Sequence, residues 1–439
     1  MCATMIVEGP IRRGMARPTR WRLRTLLLFL LLALFGCNNG TSGSNSTLLD
    51  GTTTFSQDVI AELPNPQTYR LGLHTEVTGA GAQIGDLTIR AARLAVEEIN
   101  AAGGINGIPL ELVVRDVRSD PQIALEEYRQ AVAEDDLVAL LGPLKSAYAV
   151  LMVPEHKKQT LPMFIGATNY TLTEQGADNL FRARPSDRLG AAAMVTVAID
   201  QLDSKRIGLV YDSDAFGSGG AELIRRELSQ RNRSPAADIS YTTNTGEFDQ
   251  LVRRLANAQV DIIFIYGTNQ TDVGRLLRTI RYWDLDIPIF TSPGGSSIVT
   301  HNVAAEAQDG ILAISDGFLR DSPKTARFQN AFEHRFGLQP DTYVAWAYDA
   351  VYLLADVVAG HPQATGSELN ALIRQSSFEG TQGRYQFDEK GEGLHSVTIV
   401  HMQDGVPQPV GTYSLAGFVP NSKWRMVEAR LGQTSEPIP

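Results

Sequence analysis

Cysteine is nearly absent from this sequence of 439 residues, which contains only Cys2 and Cys37. Because no thiol follows position 37, the rest of the chain offers no disulfide, no cysteine nucleophile and no cysteine metal ligand. The seven histidines are scattered, without a His-Glu-x-x-His segment or a paired spacing that would suit zinc. A Gly-x-Ser-x-Gly segment is also missing. We therefore predict that the protein is not an enzyme and has no catalytic residue, metal site or cofactor.

Positive charge is in short supply, with 39 Lys and Arg against 49 Asp and Glu. Six arginines and one acid lie in the first 36 residues, which leaves 33 basic and 48 acidic side chains and a net charge of −15 beyond them. An acidic body repels phosphate backbones, so we expect no nucleic-acid partner. The glycines at 217–220 lack the pattern of a nucleotide-binding loop.

Only one long apolar run is present, LLLFLLLALFG at positions 26–36, and it follows the arginine-rich segment. A basic segment followed by about a dozen apolar residues is typical of a secretory signal, and it is short for a membrane span. The run ends in LFGC at 34–37, which matches the lipoprotein box, where a small residue precedes the cysteine that receives the lipid. We predict a signal peptide at 1–36, lipidation at Cys37 and an extracytoplasmic, lipid-anchored protein. An uncleaved membrane anchor is the alternative.

Residues 37–66 are polar and rich in Gly, Ser, Thr and Asn, so they predict a flexible tether. From Tyr69 onward, short apolar strands alternate with helical patterns, which predicts parallel sheets covered by helices, an α/β fold. The alternation breaks at FRARPSD, 181–187, and then restarts. This break predicts two doubly wound lobes, with a cleft at the carboxyl ends of their strands. The last predicted elements are helices at 324–336 and 342–359 and a strand at 383–388.

Seven segments occur in the order found in one known family. They are TGAGAQIGDLTIRAARLAVEEINAAGGINGIPLELVVRD, LLGPLKSA, FRARPSD, GLVYDSDAFGSGG, FDQLVRRLANAQVDIIFI, YVAWAYDAVYLLADVV and YQFDEKGE. Together they resemble the type I periplasmic substrate-binding proteins of the leucine/isoleucine/valine-binding branch, over residues 69–405. The resemblance implies two lobes that close on a small ligand, joined by three crossovers near Asp187, Asp316 and Thr381.

The resemblance also implies domain limits and a function. The N-terminal lobe would comprise 67–187 and 317–381, the C-terminal lobe 188–316 and 382–430, and the tail 431–439. The protein would be a monomer that captures an amino acid or a related small carboxylate or amide and delivers it to ABC permease subunits. A lipoprotein that senses its ligand and signals to a receptor or regulator is the alternative.

Ser146 follows the apolar strand LVALLG, 137–142, at the start of a predicted helix. Free N–H groups and the positive end of the helix dipole favour an anion there. The resemblance implies that hydroxyls of Ser146 and Thr168, with backbone groups of Gly166 and Ala167, hold a ligand carboxylate. A local N-cap is the alternative role for Ser146.

The resemblance assigns further positions to the cleft. Phe216 would pack its ring on the ligand, and Ile84 and Asn269 would line the side-chain pocket. Asp187 would be a hinge residue or a cleft residue at the first crossover.

Two residues depart from the family pattern. Lys145 stands where a small or apolar residue is usual, and it would either meet a second acidic group of the ligand or lie in water at the rim. Gly294 stands where members that bind amino acids have an acid for the ammonium group. This absence counts against an ordinary amino acid unless another acid substitutes.

Overall fold

The computed structural model describes residues 68–317 and 322–433. The predicted signal peptide, the tether and most of the predicted tail lie outside these residues. Within the described part of the chain, no helix is both long enough and apolar enough to cross a membrane.

The first part of the chain forms a five-stranded parallel sheet in the order β2-β1-β3-β4-β5. Its strands are β1 (Tyr69–Thr75), β2 (Leu110–Asp116), β3 (Ala139–Leu141), β4 (Met163–Ile165) and β5 (Leu180–Arg182). The helices between them are α1 (Ala82–Ala101), α2 (Pro121–Glu134) and α3 (Ser146–His156). Strands β3, β4 and β5 are fully buried, as expected for a parallel sheet with helices on both faces.

After β5 the chain crosses to a second set of alternating helices and strands. These are α4 (Asp187–Thr196), β6 (Ile207–Asp212), α5 (Ala215–Gln230), β7 (Ala237–Tyr241), α6 (Asp249–Asn257), β8 (Ile262–Tyr266), α7 (Gln270–Tyr282), β9 (Ile289–Thr291), α8 (Ile298–Ala304) and β10 (Leu312–Ser315). The five strands pair in parallel in the order β10-β9-β8-β6-β7. The two predicted doubly wound lobes are thus both present.

The chain then returns to the first lobe through α9 (Pro323–Phe336), α10 (Ala345–Gly360) and α11 (Gly366–Gln375). Phe328 and Trp346 in these helices belong to the same hydrophobic core as β1. A small hairpin follows, made of β11 (Ser377–Glu379) and β12 (Arg384–Gln386).

The third crossing lies later than the predicted position at Thr381. Phe387 packs on Phe164 and Phe181 of the first sheet, with ring centroids 6.3 and 5.0 Å apart, and Leu394 belongs to the same core. Residues 382–394 are therefore part of the first lobe. Thr381 lies in the hairpin turn, where its N–H and hydroxyl donate to the buried carboxylate of Asp349.

The end of the chain contains strands that the sequence analysis missed. They are β13 (Ser396–Gln403), β14 (Val406–Ser414) and β15 (Gly417–Pro420), and α12 (Trp424–Gln433) follows them. The strands add antiparallel to β10, so the second sheet has eight strands and is mixed. Asp404 and Gly405, with φ of 51° and 72°, form the turn between β13 and β14. An Asp-Gly pair between apolar runs is a strong hairpin signal that was available in the sequence.

Candidate functional site

A pocket lies between the two lobes, at the carboxyl ends of their strands. This is where parallel α/β sheets bind ligands. Five of the predicted ligand-binding residues line it, namely Ile84, Lys145, Ser146, Thr168 and Phe216. Its other lining residues are Leu144, Arg184, Thr268, Gln270 and Tyr343.

Ser146 and Thr168 present two buried hydroxyl groups on the first-lobe wall, each residue being 2% exposed. The Ser146 Oγ accepts a hydrogen bond of 3.2 Å from the Asn169 N–H, which leaves its own proton available for a ligand. No side chain caps α3, so Ser146 does not act as the local N-cap. The first two N–H groups of α3, those of Ser146 and Ala147, also have no partner within the helix, whereas the Tyr148 N–H donates to the Lys145 carbonyl. This wall can therefore donate several hydrogen bonds to a carboxylate.

The Gly166 and Ala167 amides, predicted to hold the ligand carboxylate, have a partner within the first lobe and are not among the residues that line the pocket. Both N–H groups donate to the Pro143 carbonyl, at 3.2 and 3.1 Å. A Cβ at Gly166 would lie 2.6 Å from the Trp346 ring, so only glycine allows this loop to pack so closely on α10. The two residues therefore shape the loop that carries Thr168.

Lys145 does not lie in water at the rim, because its side chain is only 15% exposed. Its Nζ lies 2.5 Å from Oε1 of Glu76, whose own side chain is 2% exposed. The same carboxylate oxygen accepts a 2.8 Å hydrogen bond from the Tyr148 hydroxyl. The pocket thus contains an ammonium group that is fixed from behind by a buried acid.

Arg184 is a pocket residue that the sequence analysis missed. Its Nε lies 2.5 Å from Oδ2 of Asp316, and one Nη lies 3.3 Å from Oδ1. Its other Nη donates to the Gly166 carbonyl at 3.0 Å. The guanidinium carbon lies 4.6 Å from the centroid of the Tyr343 ring. This ion pair joins the first crossover to the second and forms part of the pocket wall.

Asp187 lies behind the pocket wall. The Tyr266 hydroxyl donates to its Oδ1 at 2.8 Å, and the Tyr266 ring packs on Phe216 with centroids 4.8 Å apart. Burial of this carboxyl raises the pKa of Asp187 to about 6. Asp187 therefore supports Phe216 from behind.

Asn269 and Gly294 also lie outside the pocket lining. The Asn269 Oδ1 accepts from the Thr271 N–H at 2.8 Å and caps α7, while its neighbour Gln270 lines the pocket. A Cβ at Gly294 would lie 3.3 Å from the Tyr343 hydroxyl, so this position is close to the pocket but provides no acid.

The comparisons with known proteins agree with this arrangement. The protein-family model described as "Periplasmic binding protein" matches residues 68–406 of this chain. The chain therefore belongs to the periplasmic binding protein family. Members of this family bind solutes, which confirms that the chain is a binding protein and not an enzyme. Membership also implies an extracytoplasmic location.

Two curated relatives have informative names. The leucine-, isoleucine-, valine-, threonine-, and alanine-binding protein of Pseudomonas aeruginosa is 26% identical over 74% of this chain and 87% of that protein. The leucine-specific-binding protein of Salmonella typhimurium is 25% identical over 72% of this chain and 85% of that protein.

Solved structures show the same fold. The branched-chain amino acid transporter substrate-binding protein LivJ from Streptococcus pneumoniae, in complex with isoleucine, aligns with a TM-score of 0.71 and 25% identity. The alignment covers 78% of this chain and 99% of that chain. The leucine-binding protein LivK from Thermotoga maritima aligns with a TM-score of 0.73 and 20% identity, over 79% of this chain and 99% of that chain. The predicted family and fold class are therefore confirmed.

Proposed function

We propose that the protein is an extracytoplasmic solute-binding lipoprotein that captures a small ligand between its lobes and delivers it to an ABC permease. The ligand is an amino acid or a related small carboxylate or amide. The observation that carries this proposal is the pair of buried hydroxyls, Ser146 and Thr168, beside the start of α3 in a pocket shared by both lobes. Hydrogen-bond donors at a helix N-terminus favour a carboxylate. Two relatives are named as proteins that bind branched-chain amino acids, and these names support an amino acid or a related small carboxylate as the ligand.

The carboxylate grip can be tested with Ser146→Ala. We expect the best ligand from a thermal-shift screen of amino acids, amides and small carboxylates to bind about tenfold more weakly, or about 1.5 kcal/mol. This loss of binding free energy is at the low end of the range for a hydrogen bond to a charged group, because the α3 N–H groups still bind the carboxylate. Calorimetric titration measures it, with Ser229→Ala on the exposed face of α5 as the matched control. Unchanged affinity in Ser146→Ala would show that the Ser146 hydroxyl does not bind a carboxylate.

The lipid anchor can be tested with Cys37→Ser in the expressing bacterium. We expect the precursor to remain unprocessed and to incorporate no labelled palmitate, because the lipid is attached to the cysteine sulfur. Cys2→Ser is the matched control, since Cys2 precedes the predicted cleavage site and its loss should leave labelling unchanged. Equal labelling of Cys37→Ser and the parent would rule out the lipoprotein box.

A further inference from the structure

Both charged side chains that line the pocket, Lys145 and Arg184, are cations. Each is paired with a buried carboxylate, Glu76 or Asp316, that does not belong to the pocket wall. Among the described residues that line the pocket there is no Asp or Glu. In both ion pairs the cation faces the pocket and the carboxylate lies outside its wall. The electrostatic potential in the pocket therefore favours an anion.

The two cations differ in how they are held. Three N–H groups of Arg184 donate to Asp316 and to the Gly166 carbonyl, and its guanidinium also lies over the Tyr343 ring. An ammonium has three N–H donors, and the Glu76 carboxylate is the one acceptor recorded for Lys145 in the described part of the chain. Lys145 therefore retains donors for an oxygen atom of the ligand.

The second-lobe wall provides no negative charge to balance an ammonium group. It consists of Phe216, Thr268 and Gln270, all of which are neutral. Asp214 lies behind Thr268, and its Oδ1 already accepts from the Thr268 hydroxyl at 2.7 Å and from the Gly217 N–H at 2.9 Å. An ammonium buried in this pocket would meet two cations and no acid on the wall, which is costly.

We propose that the ligand is a small organic acid without an ammonium group, an α-keto acid or a dicarboxylate. One carboxylate binds to Ser146, Thr168 and the start of α3, and Lys145 binds a second oxygen acceptor, the keto group or the other carboxylate. This inference rests on the proposed function, because it names the ligand class of the same site.

Matched ligand pairs test the proposal on the unmodified protein. Leucine and its α-keto acid differ only at the amino group, and so do glutamate and α-ketoglutarate. By calorimetric titration, we expect at least one keto acid to bind ten times more tightly than its amino acid. Tighter binding of the amino acid in both pairs would overturn this inference and leave the proposed function intact. If no compound of the screen binds at millimolar concentration, the proposed function and this inference both fail.

Lys145→Met tests the role of the ammonium group. We expect the preferred keto acid to bind at least tenfold more weakly, and Lys145→Arg to recover part of the loss. Tyr148→Phe is the matched control, since it removes another donor to the same Glu76 oxygen and leaves the ammonium in place. It should change affinity by less than twofold. Full affinity in a folded Lys145→Met, or an equal loss in Tyr148→Phe, would overturn the assignment to Lys145.

Discussion

Replacing Arg184 with methionine will lower the free energy of unfolding by about 3–5 kcal/mol, because it leaves the Asp316 carboxylate buried without a counter-charge. Arg184 and Asp316 are 3% and 2% exposed, so the Asp316 carboxylate has little solvent around it when the guanidinium is removed. Urea unfolding followed by circular dichroism measures the change. The double variant Arg184→Met/Asp316→Leu should recover most of the loss, since it removes the unpaired acid as well.

Arg225 provides a matched control for this prediction. Its guanidinium binds both carboxylate oxygens of Asp238, at 2.6 and 2.8 Å, and lies 4.9 Å from the Tyr211 ring centroid. The geometry resembles that of Arg184, but both partners of this pair are more than a third exposed. Arg225→Met should therefore cost no more than about 1 kcal/mol. An equal loss in Arg184→Met and Arg225→Met would show that burial of the Arg184 pair does not determine its contribution.

The position of the Ser146 hydroxyl at the pocket could be predicted from the sequence because it depends on short-range order. Ser146 begins the helix that follows buried strand β3, and Thr168 follows the next strand. In a parallel sheet, adjacent strands end at the same edge, so the two side chains meet once β3 and β4 are neighbours. The strand and helix pattern singled out Ser146, whereas Thr168 was identified only through the family resemblance, which also gave both hydroxyls their role.

The ion pairs could not be predicted, because their partners are far apart in the chain. Arg184 and Asp316 are separated by 132 residues and lie on two different crossovers. Lys145 reaches Glu76 only because β1 and β3 are adjacent in the sheet. From the sequence alone, Glu76 and Arg184 were two charges among many, and Lys145 and Asp316 were singled out without their partners. The third crossing was misplaced for a similar reason, since the packing of Phe387 on the first sheet is a tertiary contact.

Asn269 shows a different limit of sequence reasoning. The residue lies at the carboxyl end of a buried strand, as a ligand-binding side chain would, but its amide is used to cap α7. Asn is among the preferred N-cap residues, so an Asn at this position is compatible with both a helix cap and a ligand-binding side chain. The neighbours Thr268 and Gln270 provide the polar groups of the pocket wall.

Acid sensitivity is expected to arise in part from His74, at the end of β1. The imidazole is 1% exposed, and neither ring nitrogen has a hydrogen-bond partner among the described residues. Burial lowers the pKa of His74 from 6.5 to about 4. Because the folded pKa lies below the unfolded value, the unfolded chain binds a proton more readily. The contribution of the neutral ring to the free energy of unfolding is fully present above pH 6.5, and it is lost as the pH falls towards 4.

His74→Leu should therefore make the protein more resistant to acid. At pH 8 the variant should match the parent within about 1 kcal/mol, since the ring makes no hydrogen bond and leucine has a similar volume. At pH 4 it should be more stable than the parent by about 3 kcal/mol, the value that follows from a shift of this size. Urea unfolding at a series of pH values measures the difference, and exposed His361→Leu is the control. If the His74→Leu variant and the parent lose stability in parallel between pH 6.5 and 4, the buried imidazole is already protonated in the folded protein at little cost.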